Sequence, residues 1–166
     1  MEYLVKNMNN SRIPQISNLR IPKNTKIAVI TALWNKELTD QMRKECVKEI
    51  NLNHLKCNIV EVAGSFELIA ATKQALSKKF DAVIALGVVL NGETPHFDYV
   101  CQAVTSGLTS LAVEYGKPIG FGVLTCNNYQ QAYDRAGFSD SKENKGKETA
   151  QAVLQSIYAH KSLSKK

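Results

Sequence analysis

The run DAVIALGVVL at residues 81–90 is the strongest constraint on what this chain can become. It is continuous, apolar and rich in β-branched residues, the pattern of a strand buried on both faces. Such a strand needs helices above and below it, and the rest of the chain supplies them. Residues 26–33 (KIAVITAL) form a second, almost unbroken apolar run, and 57–62 and 119–125 read as two further strands. After the first run, Leu38, Met42, Val47 and Ile50 recur at helical spacing among charges, predicting an amphipathic helix to about residue 52. Further helices are predicted over 65–76 and 97–114, in a short segment ending at Arg135, and over 145–160. The second of these is closed by Tyr115-Gly116-Lys117-Pro118, a helix stop of Gly then Pro. Strands alternating with helices imply right-handed crossovers and a parallel sheet covered on both faces. The expected class is α/β, a three-layer αβα sandwich with four parallel strands.

With 166 residues and 44% hydrophobic content, one domain can bury its core without cross-links or structural metals. The organisation expected is an irregular arm over 1–25, a domain over 26–160 and a basic tail over 161–166. The 21 Lys and Arg against 15 Asp and Glu give a net charge of +6, which steers anionic small molecules. Basic residues do not interleave with aromatics as a nucleic-acid groove requires, so a nucleic-acid partner is not expected. Cys46, Cys57, Cys101 and Cys126 contain no C-x-x-C pair and no nearby His at metal spacing, so reduced thiols are expected and neither zinc nor a redox motif is suggested. No stretch in the first 25 residues is apolar enough for a signal peptide, and no run approaches a bilayer span, so cytoplasm is the simplest location.

In open parallel sheets, ligands bind outside the carboxyl ends of the strands. That rule singles out Trp34-Asn35, the segment 64–67, the segment 91–98 and the segment 126–128. In the third of these, Gly92 permits close backbone approach and the following helix start can take a phosphate. His96 there is the best general acid/base in the chain, set against an ordinary turn with Thr94 as helix cap and His96 merely solvated. Glu67 would sit in the first turn of a helix opened by Gly64-Ser65, either serving the helix dipole or accepting hydrogen bonds from sugar hydroxyls. Trp34, the only tryptophan, could present a flat face to a planar ring or pack at the rim. Phe66 and Phe121 carry the same two readings. Arg135 complements the dipole of a helix stopped by Gly137, or grips a phosphate with its fork. Lys145, His54 and His160 belong on the surface by default.

The words VAGSFELIAATKQAL (62–76), ALGVVLNGETPHFDYV (85–100), FGVLT (121–125) and QAYDRAG (131–137) resemble sequence blocks shared by lumazine synthases, the riboflavin synthase beta chain family, in the same order and separation. The resemblance runs from about residue 27 to 153. It implies a flavodoxin-like sheet and the condensation of 5-amino-6-(D-ribitylamino)uracil with 3,4-dihydroxy-2-butanone 4-phosphate, the penultimate step of riboflavin biosynthesis, with no metal or coenzyme. By that likeness Trp34 stacks on the ring and Asn35 contacts the pyrimidine. Ser65, Phe66 and Glu67 hold the ribityl chain, and Val88, Val89 and Leu90 line the pyrimidine site. Glu93 and Thr94 hold the phosphate, and His96 moves the protons. Phe121, Arg135 and Lys145 would come from a neighbouring subunit, Arg135 gripping the phosphate across the interface.

The resemblance also implies a homo-oligomer, either a pentamer, a decamer of two pentamers or a sixty-subunit shell. Residues 11–21 would add a strand to the next subunit's sheet, and riboflavin synthase is an implied partner. Departures from the family pattern are Ala63 for Pro, Asn91 for Arg and Trp34 for Phe. The stretch 138–143 is about two residues longer than in shell-forming members, which favours the pentamer or decamer. The rivals are a non-catalytic flavin or lumazine carrier, which would need neither His96 nor Arg135, and a phosphate-binding regulatory module resting on fold analogy alone.

Overall fold

The computed structural model describes residues 19–164. In chain order the elements are β1 (Ile27–Ala32), α1 (Lys36–Leu52), β2 (Cys57–Val62), α2 (Leu68–Ser77), β3 (Ala82–Leu90), α3 (His96–Tyr115), β4 (Ile119–Cys126), α4 (Tyr129–Ala136) and α5 (Lys145–Leu163). The four strands form one parallel sheet in the order β2-β1-β3-β4. Side chains alternate across it with period two. Ile27 and Val29 of β1, with Ala82, Ile84, Leu86 and Val88 of β3, pack under α1, α4 and α5. Ala28, Ile30, Val83 and Ala85 pack under α2 and α3. The expected three-layer sandwich is thus present, with β1 and most of β3 fully buried.

Three local expectations need correction. The buried stripe of α1 runs through Leu38, Met42, Cys46 and Ile50, a strict four-residue step, and Val47 lies off it. The segment 65–67 is a turn, and α2 begins only at Leu68, so Glu67 stands at the helix boundary. The last helix runs on to Leu163. The Gly-then-Pro stop behaves as expected: Gly116 takes a left-handed conformation (φ 57°) and its N–H donates to the Ala112 carbonyl.

β2 differs from the other strands. It is an edge strand whose Ile59 and Val60 are 52% and 43% exposed, so the sheet is not covered at this border. Of the residues expected to form an added strand, 11–18 lie outside the described residues. Leu19 and Ile21 pack against the chain's own core beneath α1 and α5.

Close approach of α5 to α1 depends on Gly146, where a Cβ would run into the backbone carbonyl of Met42. Burial pushes the Cys46 thiol far above the ordinary thiol range, with smaller contributions from Cys57 and Glu49. All four cysteines are free. No helix among the described residues is long and apolar enough to cross a membrane.

Candidate functional site

The chain leaves β1 toward β2 on one side and β3 toward β4 on the other, so the carboxyl ends of the adjacent β1 and β3 form a topological switch point, where crevices open in such sheets. Here a cavity of about 1200 Å³ is lined by Trp34, Asn35, the segment 64–67, residues 88–90, Thr94 and His96. The sequence-predicted residues from three separate connections therefore meet in one place. Glu93 is exposed in the same loop but does not line the cavity.

Asn35 ties this crevice together. It adopts the left-handed conformation (φ 58°), which Asn tolerates better than other non-glycine residues, and does not cap α1 with its side chain. Its Nδ2 instead donates to the Val88 carbonyl at 3.0 Å, joining the end of β1 to the end of β3. Trp34 is 72% exposed and Phe66 56%, an unusual investment of apolar surface for side chains that a core would otherwise bury. Both are open to the cavity rather than packed away. A Cβ at Gly64 would lie 3.0 Å from Glu67 Oε2 and 3.3 Å from Trp34 Cδ1, so the absence of a side chain there lets the indole and the carboxylate flank one spot. Ser65 is buried, its Oγ turned against Gly87, where a Cβ would stand 2.5 Å away.

His96 is the first residue of α3 and is exposed at the cavity wall. The capping reading of Thr94 fails: the cap position is Pro95, and no side chain caps the helix. Proline suits that place because the N–H it lacks has no intrahelical acceptor. α3 also brings Tyr99, Gln102, Ala103 and Ser106 to the cavity, residues that the sequence reading missed. Their signal was available in the helical spacing from His96 through residues 99, 103 and 106, with small side chains at the last two.

Phe121, Arg135 and Lys145 are not part of this cavity. They line a second cleft of about 360 Å³ at the edge strand β4, together with Gln131 and Thr149. Phe121 is 44% exposed on that edge. Arg135 lies in the last turn of α4, where Gly137 (φ 88°) ends the helix, and its Nη1 donates to the Gln131 carbonyl at 2.8 Å. Lys145 opens α5, with its Nζ 2.6 Å from Glu143 Oε2 and 2.7 Å from Glu148 Oε2. Desolvation lowers the Lys145 pKa, but the hydrogen bonds that its ammonium donates to the two carboxylates, with their charge, outweigh it and raise the value overall. Among the described residues, no group of three His, Cys, Asp or Glu side chains could hold a metal ion.

An open parallel α/β sheet with an aromatic, carboxylate and imidazole-lined crevice at its switch point has the architecture in which proteins of the doubly wound class bind small molecules. Comparison with known proteins narrows that class. Residues 24–161 match the family described as 6,7-dimethyl-8-ribityllumazine synthase. The protein of that name from Salinispora arenicola is 46% identical over 139 residues, covering 84% of each chain. Its namesake from Paenarthrobacter aurescens is 46% identical over 142 residues, 84% of this chain and 86% of the relative. A third, from Streptomyces avermitilis, is 40% identical over 158 residues, 95% of this chain and 98% of the relative. The chain belongs to the 6,7-dimethyl-8-ribityllumazine synthase family of enzymes.

Proposed function

We propose that the protein condenses 5-amino-6-(D-ribitylamino)uracil with 3,4-dihydroxy-2-butanone 4-phosphate to 6,7-dimethyl-8-ribityllumazine, releasing phosphate and water, as the penultimate step of riboflavin biosynthesis. The observation that carries this reading is the convergence of Trp34, Glu67 and His96 on one cavity in a chain of this family. The exposed indole of Trp34 is the stacking face for the pyrimidine, with Asn35 and residues 88–90 along its edge. The turn of Ser65, Phe66 and Glu67 receives the ribityl chain, the Glu67 carboxylate accepting from its hydroxyls. The loop of Glu93 and Thr94 holds the phosphate at the α3 start, where unpaired N–H groups favour an anion.

The substrate amine attacks the ketone carbon and water leaves as the imine forms. Loss of a carbon-bound proton then accompanies departure of phosphate. Protonation of the carbon that carried the phosphate converts the resulting enol into a new ketone, and attack of the ribityl-bearing nitrogen on that carbonyl, with loss of a second water, closes the ring. His96 takes and returns protons in these steps, and the rest of the rate comes from holding two reactants together. No metal or coenzyme takes part.

The second half of the site is Phe121, Arg135 and Lys145 of a neighbouring subunit, Arg135 gripping the phosphate across the interface. Their placement outside the Trp34–His96 cavity supports this division, and the open β2 edge supports strand addition from a neighbour's arm. The assembly is a pentamer or a pair of pentamers, placed in the cytoplasm, with riboflavin synthase as the partner that takes the product. The test is absorbance in the lumazine band on mixing the two substrates with the protein, against a protein-free control. Product formation well above the control is expected. A folded oligomer giving only the uncatalysed rate would contradict the enzyme reading and favour a flavin or lumazine carrier.

A further inference from the structure

The loop between α4 and α5 holds a carboxylate against the two cations at the β4 edge. Glu143 Oε2 is 2.6 Å from Lys145 Nζ, and its Oε1 is 3.8 Å from Arg135 Nε. Glu148 holds Lys145 from the other side at 2.7 Å. Two cations and two carboxylates make this partly buried cluster formally neutral in the free chain. The neighbouring Asp134 is engaged by Lys142 and Gln130, so it leaves that balance unchanged.

Glu143 is held in place by the fold of the loop. Its N–H donates to the Asp134 carbonyl at 2.8 Å, and Ala136 and Asn144 form an antiparallel bridge on either side. Ser141 Oγ bonds to the Tyr133 carbonyl and accepts from the Phe138 N–H, while the Tyr133 and Phe138 rings stack at 4.5 Å. Asn144 Oδ1 accepts from the Lys147 N–H to cap α5, and its Nδ2 donates to Glu45. Every main-chain turn around Glu143 is thus secured without its side chain, leaving the carboxylate one electrostatic task.

We propose that Glu143 is a positioning residue that competes with phosphate for Arg135 and Lys145, setting how tightly the phosphate-bearing substrate is held and how readily inorganic phosphate leaves. This rests on the reading of Arg135 as the phosphate ligand. A phosphate dianion entering the neutral cluster must displace or repel Glu143. Removing that negative charge leaves the cluster at +1, and in a partly desolvated site the gain for an anion is larger than on open surface.

The test uses the intact oligomer and inorganic phosphate as the probe, measured by its inhibition constant and by direct titration. Glu143→Gln is expected to tighten inorganic phosphate by about three- to tenfold. It is also expected to lower the KM for the butanone phosphate while leaving the KM for the pyrimidine unchanged. Glu143→Asp, which restores the charge, is expected to return both values toward those of the parent. Unchanged or weaker phosphate binding in Glu143→Gln, or equal tightening in Glu143→Asp, overturns the proposal. Glu143→Ala gives the same answer if the Gln variant does not assemble. Arg135→Gln separates the two ideas: weakened phosphate binding there, with no tightening in Glu143→Gln, defeats the competition alone. Undiminished binding in Arg135→Gln defeats the phosphate assignment on which it rests.

Discussion

The crevice at the β1–β3 switch point and the cleft at the β4 edge are built on opposite terms. The first is made by backbone topology: strand ends converge, Asn35 bonds to Val88 across them, and Trp34, Phe66 and Tyr99 are left exposed. The second is made by side-chain charge, with Arg135 and Lys145 each facing carboxylates of their own chain. A large exposed aromatic surface awaits something apolar to cover it, whereas a self-neutralised cation pair waits for a stronger anion. The contrast suggests one region for a flat ring and another for a phosphate, and each variant below disturbs one of them alone.

The largest effect is expected from His96→Ala, which should lower kcat by on the order of a hundredfold or more while the melting transition and oligomer stay intact. An unchanged kcat would remove His96 from the chemistry. Next comes Gly146→Ala, which forces a Cβ into the Met42 carbonyl and should cost about 2–3 kcal/mol of stability by overpacking. Because Lys145 is its neighbour, phosphate inhibition should weaken with it; a melting temperature equal to that of the parent would contradict the packing argument.

Arg135→Lys keeps the charge but loses the fork, and should raise the KM for the butanone phosphate about tenfold with little change for the pyrimidine. Equal changes for both substrates would place Arg135 outside the phosphate site. The smallest effect belongs to Asn128→Ala. Asn128 Oδ1 accepts from the Gln131 N–H at the start of α4, and loss of this cap should cost about 1 kcal/mol, read from chemical denaturation. No change would mean that tertiary contacts alone hold α4 in place.

Most of the layer structure was legible because strands buried on both faces leave nearly continuous apolar runs rich in β-branched residues, such as 27–32 and 82–90. The position of the crevice followed from strand ends alone. Finer features depended on tertiary geometry. Cys46 rather than Val47 faces the core because the α1 stripe advances in steps of four, a choice that the helix period alone left open. Glu67 stands before α2 rather than within it because the segment 65–67 forms its own turn. The clustering of Glu143 with Arg135 and Lys145 was invisible, since loop folding and not spacing brings a residue eight positions beyond Arg135 back beside it.

The central claim is that the two regions complete each other only between subunits. It is tested most directly by co-refolding His96→Ala with Arg135→Ala in equal amounts, each strongly impaired alone, and assaying lumazine formation at a butanone phosphate concentration near the parental KM. Random pairing places an intact His96 opposite a neighbour's intact Arg135 at about a quarter of the interfaces, so roughly a quarter of parental activity should return. If both groups serve within one chain, no mixed oligomer contains an intact site. Activity no higher than that of the two variants kept apart would then contradict the account.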